Sequence, residues 1–561
     1  VAGFTPAIVP LPMRPAPLFP SLLLATLALL TACSRRDTST SPSSTTSAPS
    51  FAASAAANTL HVSIGGEPSE LDPHIINAPP DYHAIQAFFE GLAMNDPATL
   101  GPRPAVAERW DVSTDGLTYT FHLRANARWS NGDALTSADF LYGFRRALSP
   151  ALGSQYTLLF NPVRGATDYA AGKLTDFNQV GFAAPDPRTL VVTLARPTPY
   201  FLSLVAGNAV WFPVHRATIE RHGKIDQRGT AWTRPERIVS NGPFVLKEWR
   251  SNQKLVGEKS PTYWNAASVR LAAVHLHAID SPDTEERAFR TGQLHVTRDI
   301  PITRFRAYRA EKSPLLHLTP LLTSNFINVN TARPALADAR VRRALSLALD
   351  RTAYADRVQA GAIAPAYTII PPGLAGYRTP VPLTEDRAAA QRLLAEAGFP
   401  GGRGFPKLTL ARAANASVEL SEAVQASWRT VLGIDVALLV TESRTHWANL
   451  QLKQYDLAIG GWSADYPDAS TFLDLFAKDS GWNFTHWSDT RYDALLAASS
   501  AELDPARRLT QLQQCEALLL EALPVIPFNF PVRRILLQPS VRDWPLNALD
   551  RPDFAAPALA P

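Results

Sequence analysis

The chain is poor in sulfur, with two cysteines and two methionines in 561 residues. Cys33 and Cys515 form no C-x-x-C pair, which removes the short redox and zinc motifs built on that spacing. No H-E-x-x-H, G-x-S-x-G elbow, Walker-type loop, or G-x-G-x-x-G after a strand occurs, so the familiar hydrolase, NTPase and dinucleotide signatures are missing and the chain does not read as an enzyme. The formal net charge of +4 is scattered, without a Lys/Arg block that would track a phosphate backbone, and this argues against a nucleic-acid partner. The apolar run Leu22 to Leu30 falls short of the ~20 residues that span a bilayer. What remains is an ordinary folding composition, 46% hydrophobic and 19% charged, on a chain too long for one core.

The N-terminal region has its own logic. Arg14 precedes the apolar run, and Leu30-Thr31-Ala32-Cys33 resembles a bacterial lipobox. That resemblance implies a signal peptide over residues 1–32 and lipidation of Cys33, with more than one acyl chain giving a stable anchor. Met13-Arg14 makes a normal short start, so Val1 to Pro12 reads as an upstream extension. Ser34 opens a Ser/Thr/Pro/Ala tract with no apolar period, and residues 33–58 are expected to be a flexible tether. The folded part should begin near Thr59.

From there strand-like and helix-like stretches alternate. Leu60–Ile64 and Tyr119–Leu123 have the period of half-buried strands, and Thr189–Leu194 is a β-branched run. Helices are expected over Ser137–Leu148, Asp338–Leu349, Asp386–Ala397 ahead of Gly398, Ser417–Leu432 ahead of Gly433, and Arg507–Ala522, where Cys515 is a small buried residue. The mixture predicts α/β lobes. His275-x-His277 places two imidazoles on one strand face, yet two ligands without a third read better as ordinary strand histidines. Glu285-Glu286 and Asp465/Asp468 read as surface or turn acids in preference to acid/base pairs.

A series of segments then resembles the peptide-binding (oligopeptide and dipeptide) family of ABC-importer solute-binding proteins. They are Glu70-Leu-Asp-Pro-His74, Phe88-Phe-Glu-Gly-Leu92, Pro104 to Trp110, Tyr119 to Arg124, and Trp129-Ser-Asn-Gly-Asp133 leading into Thr136 to Phe140. Asn241-Gly-Pro-Phe244, Ser260 to Asn265, Asp338 to Leu345, Leu394 to Gly398 and Gly461-Trp-Ser-Ala-Asp-Tyr-Pro467 follow in order. Gly132 and the Asn241-Gly242 pair have turn chemistry, and most of these residues read as scaffold.

The resemblance implies a two-lobed α/β periplasmic-binding fold of the class II type, with the solute held between lobes joined by a two-segment hinge. It implies a first lobe of residues 59–89, 214–321 and 524–561, an extra domain inserted at 90–213, and a second lobe at 322–523. It further implies a monomer on the periplasmic side of a bacterial membrane, with a peptide ligand, importer permease subunits as partners and no cofactor. A peptide offers an α-ammonium and a regular row of amide groups, so a carboxylate plus strand addition gives affinity indifferent to side chains. By resemblance Asp465 holds the ammonium, Gly461 and Ser463 present backbone groups, Trp462 walls a pocket, and Asn77, Ala78 and Tyr156 face the ligand from the first lobe. Departures bear on the ligand's other end. Ile459 stands where the oligopeptide branch has an arginine suited to the carboxylate, Leu450 replaces a base, Ser443 an aromatic wall, Asn77 an acid, and Pro79 lacks an N–H. A longer, murein or capped peptide fits this pattern, and Arg298 or Arg304 is a substitute charge. Same-fold capture of nickel, haem or another solute, and peptide sensing without import, are the alternatives.

Overall fold

The computed structural model describes residues 58–374 and 376–560. Cys33, the signal segment and the tether up to residue 57 lie outside the described residues. No helix among the described residues is long and apolar enough to cross a membrane.

Three principal sheets organise the chain. In the first, Thr59–Ser63 pairs in parallel with Ala273–His277, which continues antiparallel to Lys254–Lys259 and Phe244–Arg250. The second is antiparallel, in the order Ala107–Val112, Thr118–Leu123, Thr189–Thr193, Phe182–Asp186. Their apolar residues fuse into one core, in which Leu60, Val62, Val274 and Leu276 join Phe121, Leu190, Phe144 and Trp211. The third runs Leu316–Pro320, Val525–Leu536, Thr323–Val329, Leu457–Ser463, Leu408–Ala413, Val436–Thr441, with Ile363–Pro365 added to Val525–Leu536. Its helices bury a separate core around Leu345, Val424, Trp428 and Leu457.

Local chemistry sets the helix ends. Val418–Leu432 begins at Ser417, whose hydroxyl accepts the Leu420 N–H, and stops at Gly433, which takes a φ of 68°. Arg387–Glu396 and Ala339–Leu347 start behind Asp386 and Asp338, each accepting a backbone N–H. These carboxylates complement the positive helix ends.

The shared motifs interlock across the first lobe. Arg146, on the helix Ser137–Ala147, meets both carboxylate oxygens of Asp72 at 2.8 and 2.5 Å in full burial. Burial opposes Asp72's charge, yet the guanidinium holds its pKa below the ordinary range. Glu90 accepts from Tyr263 Oη at 2.6 Å and Trp264 Nε1 at 2.5 Å, while Asn241 bonds its backbone on both sides at 3.2 and 2.8 Å. Three motifs far apart in sequence thus close on one buried acid, whose pKa burial raises to about 7. Gly132 has the positive φ of its turn, 92°. Gly242 corrects the turn reading: it is needed for close approach, because a Cβ there would lie 2.4 Å from the Phe88 carbonyl carbon.

Two adjacent segments cross side by side between neighbouring groups of strands. Val525–Leu536 pairs through Val525–Asn529 with Thr323–Val329 and through Val532–Leu536 with Leu316–Pro320. Between these stretches the Leu321 N–H donates to Pro531 O at 3.1 Å. One strand therefore passes from one set of partners to the other beside the chain that makes the first crossing.

Candidate functional site

The strand Leu457–Ser463 changes character along its length. Leu457 and Ile459 sink into the core of the third sheet. Pairing with Leu408–Ala413 ends at Ala458, whereas Thr323–Val329 stays paired out to Ser463. The remaining edge is thus open from Ile459 onward, apart from His446 Nε2, 2.9 Å from Ile459 O. Because the Ala464 N–H donates to Leu322 O at 2.8 Å, strand alternation turns the amide groups of Gly461 and Ser463 toward the open edge. Glycine is required at 461, where a Cβ would meet Asn325 Oδ1 at 2.6 Å and Ser324 O at 2.9 Å. Ser463 is exposed, with its hydroxyl 2.9 Å from that of Thr323.

Asp465 follows immediately. Thr471 Oγ1 accepts the Asp465 main-chain N–H at 3.3 Å and the Trp462 indole N–H at 3.4 Å, so one hydroxyl ties the Asp465 backbone to the Trp462 ring. Among the described residues, no donor is hydrogen-bonded to the Asp465 carboxylate. Burial pushes its pKa up to about 6, against the lowering effect of Arg551. Arg551 instead spends its guanidinium on the main-chain oxygen of Asp465 and on Asn208 Oδ1, both at 2.8 Å. The capping role falls to Asp468, which accepts the Ser470 N–H and pairs with Arg508 at 2.7 and 2.8 Å. Tyr466 stacks on Tyr200 with ring centroids 5.3 Å apart and 7° between planes.

On the facing side, Asn77 is exposed, and its amide nitrogen is 3.4 Å from Gln155 Oε1, next to Tyr156. Tyr156 meets Tyr82 edge to face at 5.9 Å. Burial raises the pKa of both tyrosines, and the Asp465 charge adds to it in each, so the pair lies within electrostatic reach of that carboxylate. Ala78 caps the helix Pro79–Phe88; its N–H donates to Asp81 Oδ2 at 3.2 Å and its carbonyl accepts from Tyr82. Pro79 occupies the first helical turn, where a missing N–H costs nothing.

An aromatic pocket opens beside the strand edge, lined by Trp447, Trp462, Trp482, Phe484, Phe326 and Leu450. Trp482 is its hub, with edge-to-face contacts to Trp462 at 5.0 Å and Trp447 at 6.5 Å. Leu450 is therefore an apolar wall where a base was the comparison. Ser443 starts the helix Ser443–Gln451 and donates to Asn415 Oδ1 at 2.9 Å. The two substitute charges are committed elsewhere. Arg298 pairs with Asp550 at 2.6 Å, and Arg304 lies exposed, 3.9 Å from Glu286. Glu285 accepts Ser63 Oγ and the N–H groups of Arg298 and Asp299, which makes it a structural acid. Tyr82, Arg551 and Asn208 were not anticipated, for they come from segments without a local signal.

A two-lobed α/β fold with an open strand edge, a carboxylate that has no hydrogen-bonded donor among the described residues, and an aromatic pocket beside it is the architecture of a solute receptor. The chain belongs to the bacterial extracellular solute-binding proteins, family 5, whose model matches residues 101–484. It is 32% identical over 488 residues to the periplasmic oligopeptide-binding protein OppA of Escherichia coli, covering 85% of this chain and 88% of that one. It is also 32% identical over 515 residues to a probable deoxycholate-binding periplasmic protein, YgiS, of the same organism, covering 89% and 94%. A crystal structure of a periplasmic oligopeptide-binding protein of Borrelia burgdorferi, titled an oligopeptide ABC transporter, superposes with a TM-score of 0.78 at 29% identity, covering 90% of this chain and all of that one. Members of this family are substrate-binding transport proteins, not enzymes.

Proposed function

We propose that this chain captures peptides outside the cytoplasm and delivers them to an ABC importer, gripping the ligand's α-ammonium with Asp465. The observation that carries this reading is a carboxylate without a hydrogen-bonded donor, placed at the end of an open strand edge. An ammonium supplies the missing donors, and the peptide backbone continues along Gly461 and Ser463 as an added strand. Trp462 walls the adjoining side-chain pocket, and Asn77 and Tyr156 close from the other lobe on a loop framed by Ala78. In this reading Cys33 is the acylated anchor, and residues 90–213 form the domain inserted in the first lobe.

Calorimetry with a peptide of about five residues and its N-acetylated form tests the grip. Truncating one side of such a pair costs about 2–5 kcal/mol, so Asp465→Ala should weaken binding of the free peptide by tens-fold or more. Acetylation should weaken wild-type binding and leave the variant little changed. Equal affinity of wild type and variant would remove Asp465 from the site.

The aromatic pocket favours one second reading, a ligand with a bulky apolar body, in line with the probable deoxycholate-binding relative. Native mass spectrometry of protein purified from its host separates the two by the mass of the ligand carried.

A further inference from the structure

The first sheet has a second face that the peptide site does not use. Leu60, Val62, Val274 and Leu276 point into the core, so strand alternation puts His61, His275 and His277 together on the opposite face. His61 stands directly across from His275 in the parallel register, and His277 is two residues along. His61 Nδ1 and His277 Nε2 are 3.0 Å apart, and the His61 and His275 ring centroids 4.6 Å. One nitrogen of each ring lies within 4.8 Å of the other two. Nδ1 of His275 is buried with no hydrogen-bond partner. Zinc–imidazole bonds of about 2.0–2.1 Å put the nitrogens of a tetrahedral site about 3.3 Å apart, a spacing this cluster reaches with small side-chain adjustments.

We infer that His61, His275 and His277 form a site for one divalent transition-metal ion of the zinc class, separate from the peptide cleft. This reverses the expectation that His275 and His277 lack a third ligand, for the parallel pairing brings His61 from more than 200 residues away. Imidazoles suit zinc, copper and nickel, and a set without carboxylates discriminates against calcium and magnesium. Each imidazole can offer one unprotonated nitrogen to a metal ion. Two other titratable groups act on the cluster. Lys254, opposite His277 on the next strand, opposes the incoming charge. His295 has its ring centroid 5.6 Å from that of His61, and its Nδ1 accepts the His61 N–H at 3.0 Å. Three protein ligands leave a fourth position for water or an incoming donor. Bound metal clips the first strand of the folded chain to its sheet neighbour.

The test uses the soluble chain without an affinity tag, stripped with chelator and titrated with zinc chloride with and without peptide. One equivalent should bind, with equal affinity in both cases. His275→Asn and His277→Gln should each weaken binding by at least about tenfold, the loss that even an outer-shell partner can cause. His122→Gln, at a half-buried histidine paired with Asp111 on another sheet, should bind as wild type does. Retained peptide binding by the variants shows that they fold. A measurement without variants is anomalous diffraction at the zinc edge from wild-type crystals, with the expected peak between the three rings. No stoichiometric binding at micromolar zinc, unchanged affinity in both variants, or a peak only elsewhere overturns the assignment.

Discussion

Arg551 donates to the main-chain oxygen of Asp465 at 2.8 Å, so a segment near the C-terminal end holds the backbone of the residue proposed to grip the ligand. The same nitrogen also reaches Asn208 Oδ1. Arg551→Ala should leave the fold intact and loosen residues 464–471. The expected outcome is a loss of peptide affinity of about tenfold, as for one charged hydrogen bond of about 1.5 kcal/mol, with faster amide exchange in that segment. Unchanged exchange and affinity would show the contact to be incidental.

Peptide affinity should depend on pH through Asp465. In the proposed grip it is the ionised carboxylate that pairs with the ammonium, and in the free protein burial raises its pKa to about 6. As pH falls below about 6 the acid must lose a proton to bind, and affinity should drop by up to about tenfold per unit. Above that it should be flat until the peptide amine begins to lose its proton, near about pH 8. Asp465→Asn should abolish the acid limb. Calorimetry between about pH 5 and pH 8 checks both curves.

The carboxyl end of the ligand should matter little. Ile459 is packed in the core, Leu450 lines an apolar pocket, and Arg298 is held by Asp550. Amidating a peptide's C-terminus should therefore change its affinity by less than about threefold, which is under about 0.7 kcal/mol. A large loss would reveal a clamp supplied by another residue.

Stability should respond strongly to Asp550. Its carboxylate meets Arg298 at 2.6 Å and Arg533 at 2.6 Å, and its main-chain oxygen lies 3.0 Å from His83 Nε2. Burial opposes the charge, but Arg533 and Arg298 hold the folded pKa far below the ordinary value. A depressed folded pKa stabilises the protein above the unfolded value of about 3.9 and ceases to do so as pH falls toward the folded one. Asp550→Asn should cost about 3–5 kcal/mol at neutral pH, and the gap from wild type should narrow below about pH 4. Denaturant titrations at the two pH values measure it.

Local signals in the sequence were sufficient for many elements, and the family resemblance pointed to part of the candidate site. Ser417 and Gly433 bracket a helix that is capped at both residues, because capping involves groups only a few residues apart. Trp462 and Asp465 were visible because they belong to one contiguous motif and share Thr471 as an anchor. Arg551 and Tyr82 were not, since their roles arise from contacts between distant segments and nothing in their own neighbourhoods marks them. The histidine cluster shows the same limit. Two of its members were evident from the spacing of His275 and His277, while His61 joins only through a parallel strand pairing that short-range periodicity does not encode. Gly242 belongs with these, for the backbone it must admit is that of Phe88.

The neighbouring crossings at Leu321 and Pro531 have a consequence for what the receptor can discriminate. If the proposed lobes close on a solute, two chains bonded side by side would favour rotation about a narrow axis, much as a door turns on one pin. On the proposed function such a pin would make closure one stroke for short and long cargo alike, so that selection among solutes would come from what fills the chamber as it shuts.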